Sequence, residues 1–356
     1  AVAKHLPTAR IPERNGRKIT FLDLATHTSG LPFMPPPGTG DAAEMPYTNE
    51  RLYEFLASYE LPRDIGIEWE YSNVGYWLLA QGLAARAGDD YETLLRERVI
   101  APLKLRSTEL EPSPAVKAKL AVGHNAALQP AQSWATMPLY AAMSPTGGLV
   151  STMNDLLQFL SVALGYERSR LSTAMNAMLT TRRPAPPHQQ ALGWLANRSS
   201  NNEQLIFHDG GTLGYASAVA WDPKQRVGVV VLSTQVEGVG DIARHLLRPE
   251  LPLRKPTATK QTEITLSSAV LDSYAGRYEV SDEGTFVIAR KQDFLEIQAP
   301  SDWGLPALRL RPATERDFFV VELPLRVTFQ VEGEGHVTGI LVHPPRGQKA
   351  VSGRRL

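Results

Sequence analysis

The sequence predicts an α/β (α+β) protein: an antiparallel sheet flanked by helices over residues 1–250, a linker over 251–262, and a small all-β unit over 263–356. Three patterns carry that expectation. Before residue 165 the apolar residues recur mostly at helical spacing. From Gln204 to Ser233 they gather into short runs separated by turn residues. Beyond the linker-like Leu251-Pro252-Leu253-Arg254-Lys255-Pro256, nearly every apolar run is the length of a short strand.

Thr20 to Ala25 reads as a short helix, with Thr20 as its cap and Asp23 at the capping-box position. Thr28-Ser29-Gly30-Leu31-Pro32 ends it, and the proline-rich Pro35-Pro36-Pro37-Gly38-Thr39-Gly40 must be loop. Leu52, Phe55, Leu56 and Tyr59 lie on one helical face. Asn73 to Arg86 is a strongly apolar helix stopped by Gly88. Asp90 caps another, ending near Val99 ahead of Pro102. Thr152 and Asp155 form a second capping box before Leu156, Leu157, Phe159 and Leu160.

Leu205–Phe207, Tyr215–Trp221 and Val227–Leu232 read as strands, the last so rich in valine that burial is expected. Asp222-Pro223 turns the second into the third, which implies antiparallel pairing, and Asp241–Leu247 closes this part as a helix. In the tail, strands are expected at 276–280, 285–290, 294–298, 307–311, 318–322, 327–331 and 338–343, as a small barrel or sandwich.

Composition excludes several classes of function. Lysine plus arginine equals aspartate plus glutamate, 37 each, so nothing points to a nucleic-acid partner. There is no cysteine, which removes disulfides, thiol catalysis and cysteine-bound metal. No run approaches the roughly 20 apolar residues of a membrane span. His5, His124, His188, His245, His336 and His343 lack metal-ligand spacing. Gly210-Gly211-x-x-Gly214 has no βαβ unit around it and is not a dinucleotide loop.

Chemistry is suggested by three stretches: Thr26-His27-Thr28-Ser29-Gly30-Leu31-Pro32, Tyr71-Ser72-Asn73 at a helix entrance, and His208-Asp209-Gly210-Gly211-Thr212-Leu213-Gly214 following a strand. With Ser144-Pro145-Thr146-Gly147-Gly148-Leu149-Val150-Ser151-Thr152, they occur in the order found in the penicillin-recognising serine hydrolases. Over residues 1–250 the chain resembles the class C β-lactamase, DD-peptidase and esterase branch of that family. Tyr71-Ser72-Asn73 matches its Tyr-x-Asn motif. His208-Asp209-Gly210 matches its third motif, Lys-Thr-Gly in β-lactamases and often His-x-Gly in esterases and D-aminopeptidases. The β-rich tail resembles the lipocalin-like domain that often follows such hydrolases.

The resemblance implies a β-lactamase/transpeptidase-like fold and cofactor-free acyl transfer through a serine ester, on esters, β-lactams or D-amino-acid peptides. It also implies a periplasmic or secreted location. Tyr71 would be the base, Asn73 would hold a lysine and a substrate oxygen, and His208 would stand where the third-motif cation lies. The Gly211 N–H would be one oxyanion donor, with Gly210 and Thr212 along the substrate. A free phenol titrates near 10, so a neutral-pH base needs about 4 kcal/mol of help. In the family that help comes largely from the lysine of Ser-x-x-Lys. His27 and Ser29 are expected to be structural.

No serine in the 356 residues has lysine three positions on; Ser113 with Lys117 comes nearest, bracketed by Pro112 and Pro114. The chain starts at Ala1 without a leader pattern and is expected to begin just downstream of the nucleophile motif. Three readings stay open. A separate N-terminal piece carries the serine, the sequence is a truncation that does not take the family fold, or the chain is a non-catalytic relative that keeps the cleft for binding. As written, the chain is expected to be inactive alone.

Overall fold

The computed structural model describes residues 1–35, 48–126, 128–131, 144–197, 204–212, 214–235, 238–254, 262–280, 284–299, 307–323, 325–333, 335–343 and 350–356. Pro36–Gly40 of the proline-rich loop, Lys255–Gln261 of the expected linker, and Leu213 lie outside the described residues.

The first half is helical, as expected. Helix α1 (Phe21–Ala25) has both arms of its capping box. The Asp23 carboxylate also accepts from Arg17 at 2.8 Å, so a charge only 2% exposed keeps a partner. Helix α2 (Asn49–Ser58) and helix α3 (Asn73–Ala87) follow, and α3 ends on Gly88 in the left-handed conformation. The helix α3 residues Val74, Trp77 and Leu78 are fully buried against Leu24, Leu52 and Leu56. The cluster also takes in Val2, Ile19 and Leu31.

The helix after Asp90 runs further than expected. Helix α4 (Tyr91–Leu95) passes through a π turn at Arg96–Ile100 into α5 (Ala101–Leu103). A π turn absorbs an extra residue, and Pro102, which donates no N–H, stands at the start of the turn that follows. Helix α6 (Pro114–Lys117) is a single turn, so Ser113 and Lys117 form no helical dyad. Helix α7 (Met153–Ala163) is capped by Thr152, but the second capping box is incomplete. Its Asp155 carboxylate instead accepts from the Ser107 N–H and the Thr108 hydroxyl, both at 2.7 Å. Helix α8 (Ser172–Ala177) completes this part.

Two ribbons, β1 (Glu13–Arg14) with β2 (Arg17–Lys18) and β3 (Gly123–His124) with β4 (Pro130–Ala131), stand apart from the main sheet. That sheet has three short strands the sequence pattern does not reveal: β5 (Arg183–Ala185), β6 (His188–Gln190) and β7 (Leu195–Asn197). Then come β8 (Ile206–Thr212), β9 (Tyr215–Asp222) and β10 (Val227–Ser233). The order is β10-β9-β8-β7-β6-β5 and every pairing is antiparallel. One face packs Ile206, Trp221 and Val230 under Leu160 of α7. The other packs Leu205, Phe207, Ala216, Ala218 and Ala220 under α9 (Gly240–Leu247).

Strand β10 corrects an expectation. Its valine run is not wholly buried: Val227 is 47% and Leu232 42% exposed, because β10 is the sheet's last strand and pairs only with β9 among the described residues. The first residues of the expected linker, Leu251–Arg254, are tied to α9. The Arg254 backbone and guanidinium both donate to Asp241 of α9, each at 2.9 Å.

The tail closes into an eight-stranded antiparallel barrel: β11 (Gly276–Val280), β12 (Gly284–Lys291), β13 (Phe294–Gln298), β14 (Leu308–Pro312), β15 (Asp317–Val320), β16 (Arg326–Glu332), β17 (His336–His343) and β18 (Val351–Arg355). The eighth strand, which the sequence reading lacks, pairs with both β11 and β17 and removes the open edges. Tyr274 and Leu271 of α10 (Ser268–Tyr274) pack on its core, and Tyr278, Phe318, Phe329 and Ile340 fill it. The cavity left inside is about 20 Å³, against the hundreds of a small-molecule pocket.

Gly82 tests the helical packing. Alanine in place of a helix-interior glycine ordinarily gains about 0.5–1 kcal/mol. Here an added Cβ would stand 2.6 Å from the Phe21 ring and 3.1 Å from Val2. Gly82→Ala is expected to lower stability by about 1–3 kcal/mol, read from the urea midpoint.

Candidate active site

The site is assembled from the loop after α1, the entrance to α3, and β8. Ser72 caps α3: its hydroxyl accepts from the Gly75 N–H at 2.8 Å and donates to the Pro32 carbonyl at 2.7 Å. The Asn73 N–H donates to the Phe33 carbonyl at 2.9 Å, and the Glu70 N–H to the His27 carbonyl at 2.9 Å. These bonds lace residues 27–33 to residues 70–73. Tyr71, just ahead of the cap, is thereby held at the junction.

The Tyr71 ring stacks on His27, with centroids 4.4 Å apart. Phe33 lies 6.0 Å away and is 49% exposed. Burial raises the Tyr71 pKa above that of a free phenol, and the Asp209 carboxylate raises it further. Among these residues, then, Tyr71 is a neutral phenol at neutral pH.

His27 is 3% exposed, and its Nδ1 accepts from the Ser72 N–H at 3.0 Å. A nitrogen that accepts carries no proton, so the ring is the neutral Nε2–H tautomer. Burial first, and then the nearby His208, depress its pKa to about 3.

His208 comes from the sheet. Successive residues of a strand face opposite sides, so His208 shares the α7 face with Ile206, while Asp209 shares the α9 face with Phe207. The His208 and Tyr71 ring centroids are 6.3 Å apart. Trp194 meets His208 edge-on at 6.3 Å and is itself packed on Trp221 at 4.6 Å. Burial lowers the His208 pKa, against the pull of Asp209. The Asp209 carboxylate lies at the first residue of α9; a Cβ on Gly240 would come within 2.3 Å of its Oδ2. A carboxylate is stabilised there by the helix dipole.

A family model described as Beta-lactamase matches residues 1–250. The chain belongs to the β-lactamase family. A second model, described as a domain of unknown function (DUF3471), matches residues 260–355. The D-alanyl-D-alanine-carboxypeptidase/endopeptidase AmpH of Escherichia coli (strain K12) is 30% identical over 247 residues, 64% of this chain and 62% of its own. Protein flp of Staphylococcus aureus (strain MW2) is 27% identical over 260 residues, 69% of this chain and 49% of its own. The chain thus spans 49–62% of the length of these relatives. A solved class C β-lactamase superposes with a TM-score of 0.58 at 19% identity, covering 71% of this chain and 75% of that one. A β-lactamase/D-alanine carboxypeptidase from Yersinia pestis gives 0.55 at 24%, covering 66% and 69%. These two likenesses establish the fold.

Within this β-lactamase-family fold, the residues singled out from sequence separate as follows. Tyr71 and His208 meet. The third motif lies inside β8 rather than after a strand. Gly210 faces open space, with nothing within 4 Å of where a Cβ would stand. Gly211 pairs with Ala216, and Thr212 with Tyr215, on β9. Among the described residues the opposite edge of β8 pairs with β7 only through Ile206 and Phe207. Asn73 is 8% exposed, and its side-chain amide donates to the Met34 sulfur at 3.3 Å. Ser29 is 1% exposed and its hydroxyl accepts from the Leu31 N–H at 3.3 Å. Among the described residues no cluster of His, Asp and Glu could hold a metal, and no helix is long and apolar enough to cross a membrane.

Sequence reasoning missed Trp194, Gly240 and the engagement of His27 with Tyr71. The only signal for the first was Leu192-Gly193-Trp194, a glycine beside a large aromatic.

His27 makes the fold acid-sensitive. Its unfolded pKa is near 6.5 and its folded value about 3, so the unfolded chain binds more protons between those limits. Stability from this residue is complete above pH 6.5 and is lost as pH falls toward 3, by a few kcal/mol at most. The stability gap between wild type and His27→Asn, from urea unfolding, should be smaller at pH 4 than at pH 7.

Proposed function

We propose that this cleft serves acyl transfer through a serine ester, on esters, β-lactams or D-amino-acid peptides. The single observation that carries the reading is that a phenol and an imidazole, delivered by a helix entrance and a distant strand, stand with ring centroids 6.3 Å apart. Tyr71 relays the proton of the nucleophile. His208, its pKa lowered by burial, acts as a neutral hydrogen-bonding group rather than a fixed cation. That favours esters and peptides over substrates recognised by a carboxylate. The Gly211 N–H serves the oxyanion, and the acyl group lies along Gly210 and Thr212. Asn73 turns from Met34 toward the nucleophile's lysine when one is present.

A neutral phenol abstracts no proton; a neighbouring ammonium would lower its pKa and make it a base. The lysine of a Ser-x-x-Lys segment is that cation, and an exported location goes with the reading.

A second reading, a binding protein that uses the same cleft without turnover, is favoured by one fact: no serine in the 356 residues precedes a lysine at that spacing. Intact mass after incubation with a penicillin and with a fluorophosphonate separates the two. The 356-residue chain is expected to form no adduct. With a Ser-x-x-Lys helix joined ahead of Ala1, an adduct and hydrolysis of p-nitrophenyl esters or nitrocefin are expected. Tyr71→Phe in that joined protein should then cost about 10²–10⁴-fold in kcat. A joined protein that folds yet stays inert toward every ester, β-lactam and D-peptide would end the enzymatic reading.

A further inference from the structure

We propose that His27 is the positioning residue of Tyr71: a flat ring clamped between two tyrosines, which fixes where the phenol stands in the cleft. The inference rests on the reading of Tyr71 as the proton relay and assigns that relay its support. The clamp has three parts. Tyr71 stacks on one face of the imidazole at 4.4 Å and 30°, and Tyr76 on the other at 4.7 Å and 28°. Tyr76 is the fixed backing, because its hydroxyl donates to the Ala25 carbonyl at 2.9 Å. The edge of the imidazole takes the Ser72 N–H, the backbone group next to Tyr71. One side chain therefore holds both the Tyr71 ring and the main chain beside it.

Among the described residues no other ring contact of Tyr71 is as close: Phe33 and His208 are tilted, at 6.0 and 6.3 Å. His27 also has φ +53°, a conformation uncommon outside glycine and disfavoured by the Cβ. Strain of that kind persists where the surroundings over-determine it. The chemistry selects histidine. Asparagine tolerates positive φ and supplies an acceptor, but has no ring. Phenylalanine supplies a ring but leaves the Ser72 N–H unsatisfied. A neutral imidazole supplies both, and adds no charge beside the phenol.

The full chain labelled with [13Cζ]tyrosine tests this without any need for turnover. Tyr71→Phe identifies the Tyr71 resonance, and its pH titration reports how the ring is covered. In His27→Asn the Tyr71 midpoint should fall by about one pH unit, a tenfold change in ionisation constant, as water reaches the uncovered face. In His27→Phe it should stay at the wild-type value. An unchanged midpoint in His27→Asn, or an equal fall in both variants, overturns the proposal. If near-UV circular dichroism shows that His27→Asn does not fold, Tyr76→Leu removes the backing ring instead. A lowered Tyr71 midpoint there supports the clamp and an unchanged one overturns it. Full kcat in Tyr71→Phe of the joined protein would end the relay reading and leave this titration standing, so the two can fail separately.

Discussion

The hydrogen bond from the Ser72 N–H to His27 Nδ1 joins two segments that the rest of the site depends on. It is buried, and it demands an unprotonated imidazole. That demand agrees with the burial that drives the His27 pKa down. Around it the loop 27–33 and the entrance of α3 exchange backbone bonds, so the Tyr71 ring and the helix cap form one rigid unit. A phenol on a free loop would have many orientations, whereas here its neighbours leave it few.

The sheet meets this unit through strand alternation. His208 and Asp209 are adjacent in sequence and opposite in direction, one toward the cleft and Trp194, the other toward the start of α9. The third motif thus divides its chemistry between two faces: an imidazole beside Tyr71, and a carboxylate placed against a helix N-terminus. The small side chains of Ala216, Ala218 and Ala220 let α9 lie close on that face. A buried ion pair between Asp222 and Arg248 ties the β9–β10 turn to the end of α9.

Among the described residues, the rings of the candidate site are held toward their neutral forms. Both of its histidines are depressed toward neutrality, and the carboxylate that acts on Tyr71 raises its pKa. The barrel carries none of these residues. Among the described residues its interior is packed, with a cavity of about 20 Å³.

Local signals were legible in the sequence because their physics is local. The Thr20–Asp23 capping box, the left-handed stop at Gly88 and the turn at Asp222 each depend on residues within a few positions. The motif order was enough for the family. What the sequence did not carry was long-range. The three-residue strands β5 to β7 are too short for a periodic pattern. The exposure of β10 follows from its place at the sheet edge, and no strand's own residues declare which neighbours it has. His27 read as an ordinary buried histidine because its partners, Tyr71, Ser72 and Tyr76, lie in another segment. Stacking and burial are properties of the assembled surface, so only the tertiary structure decided that this imidazole faces the phenol.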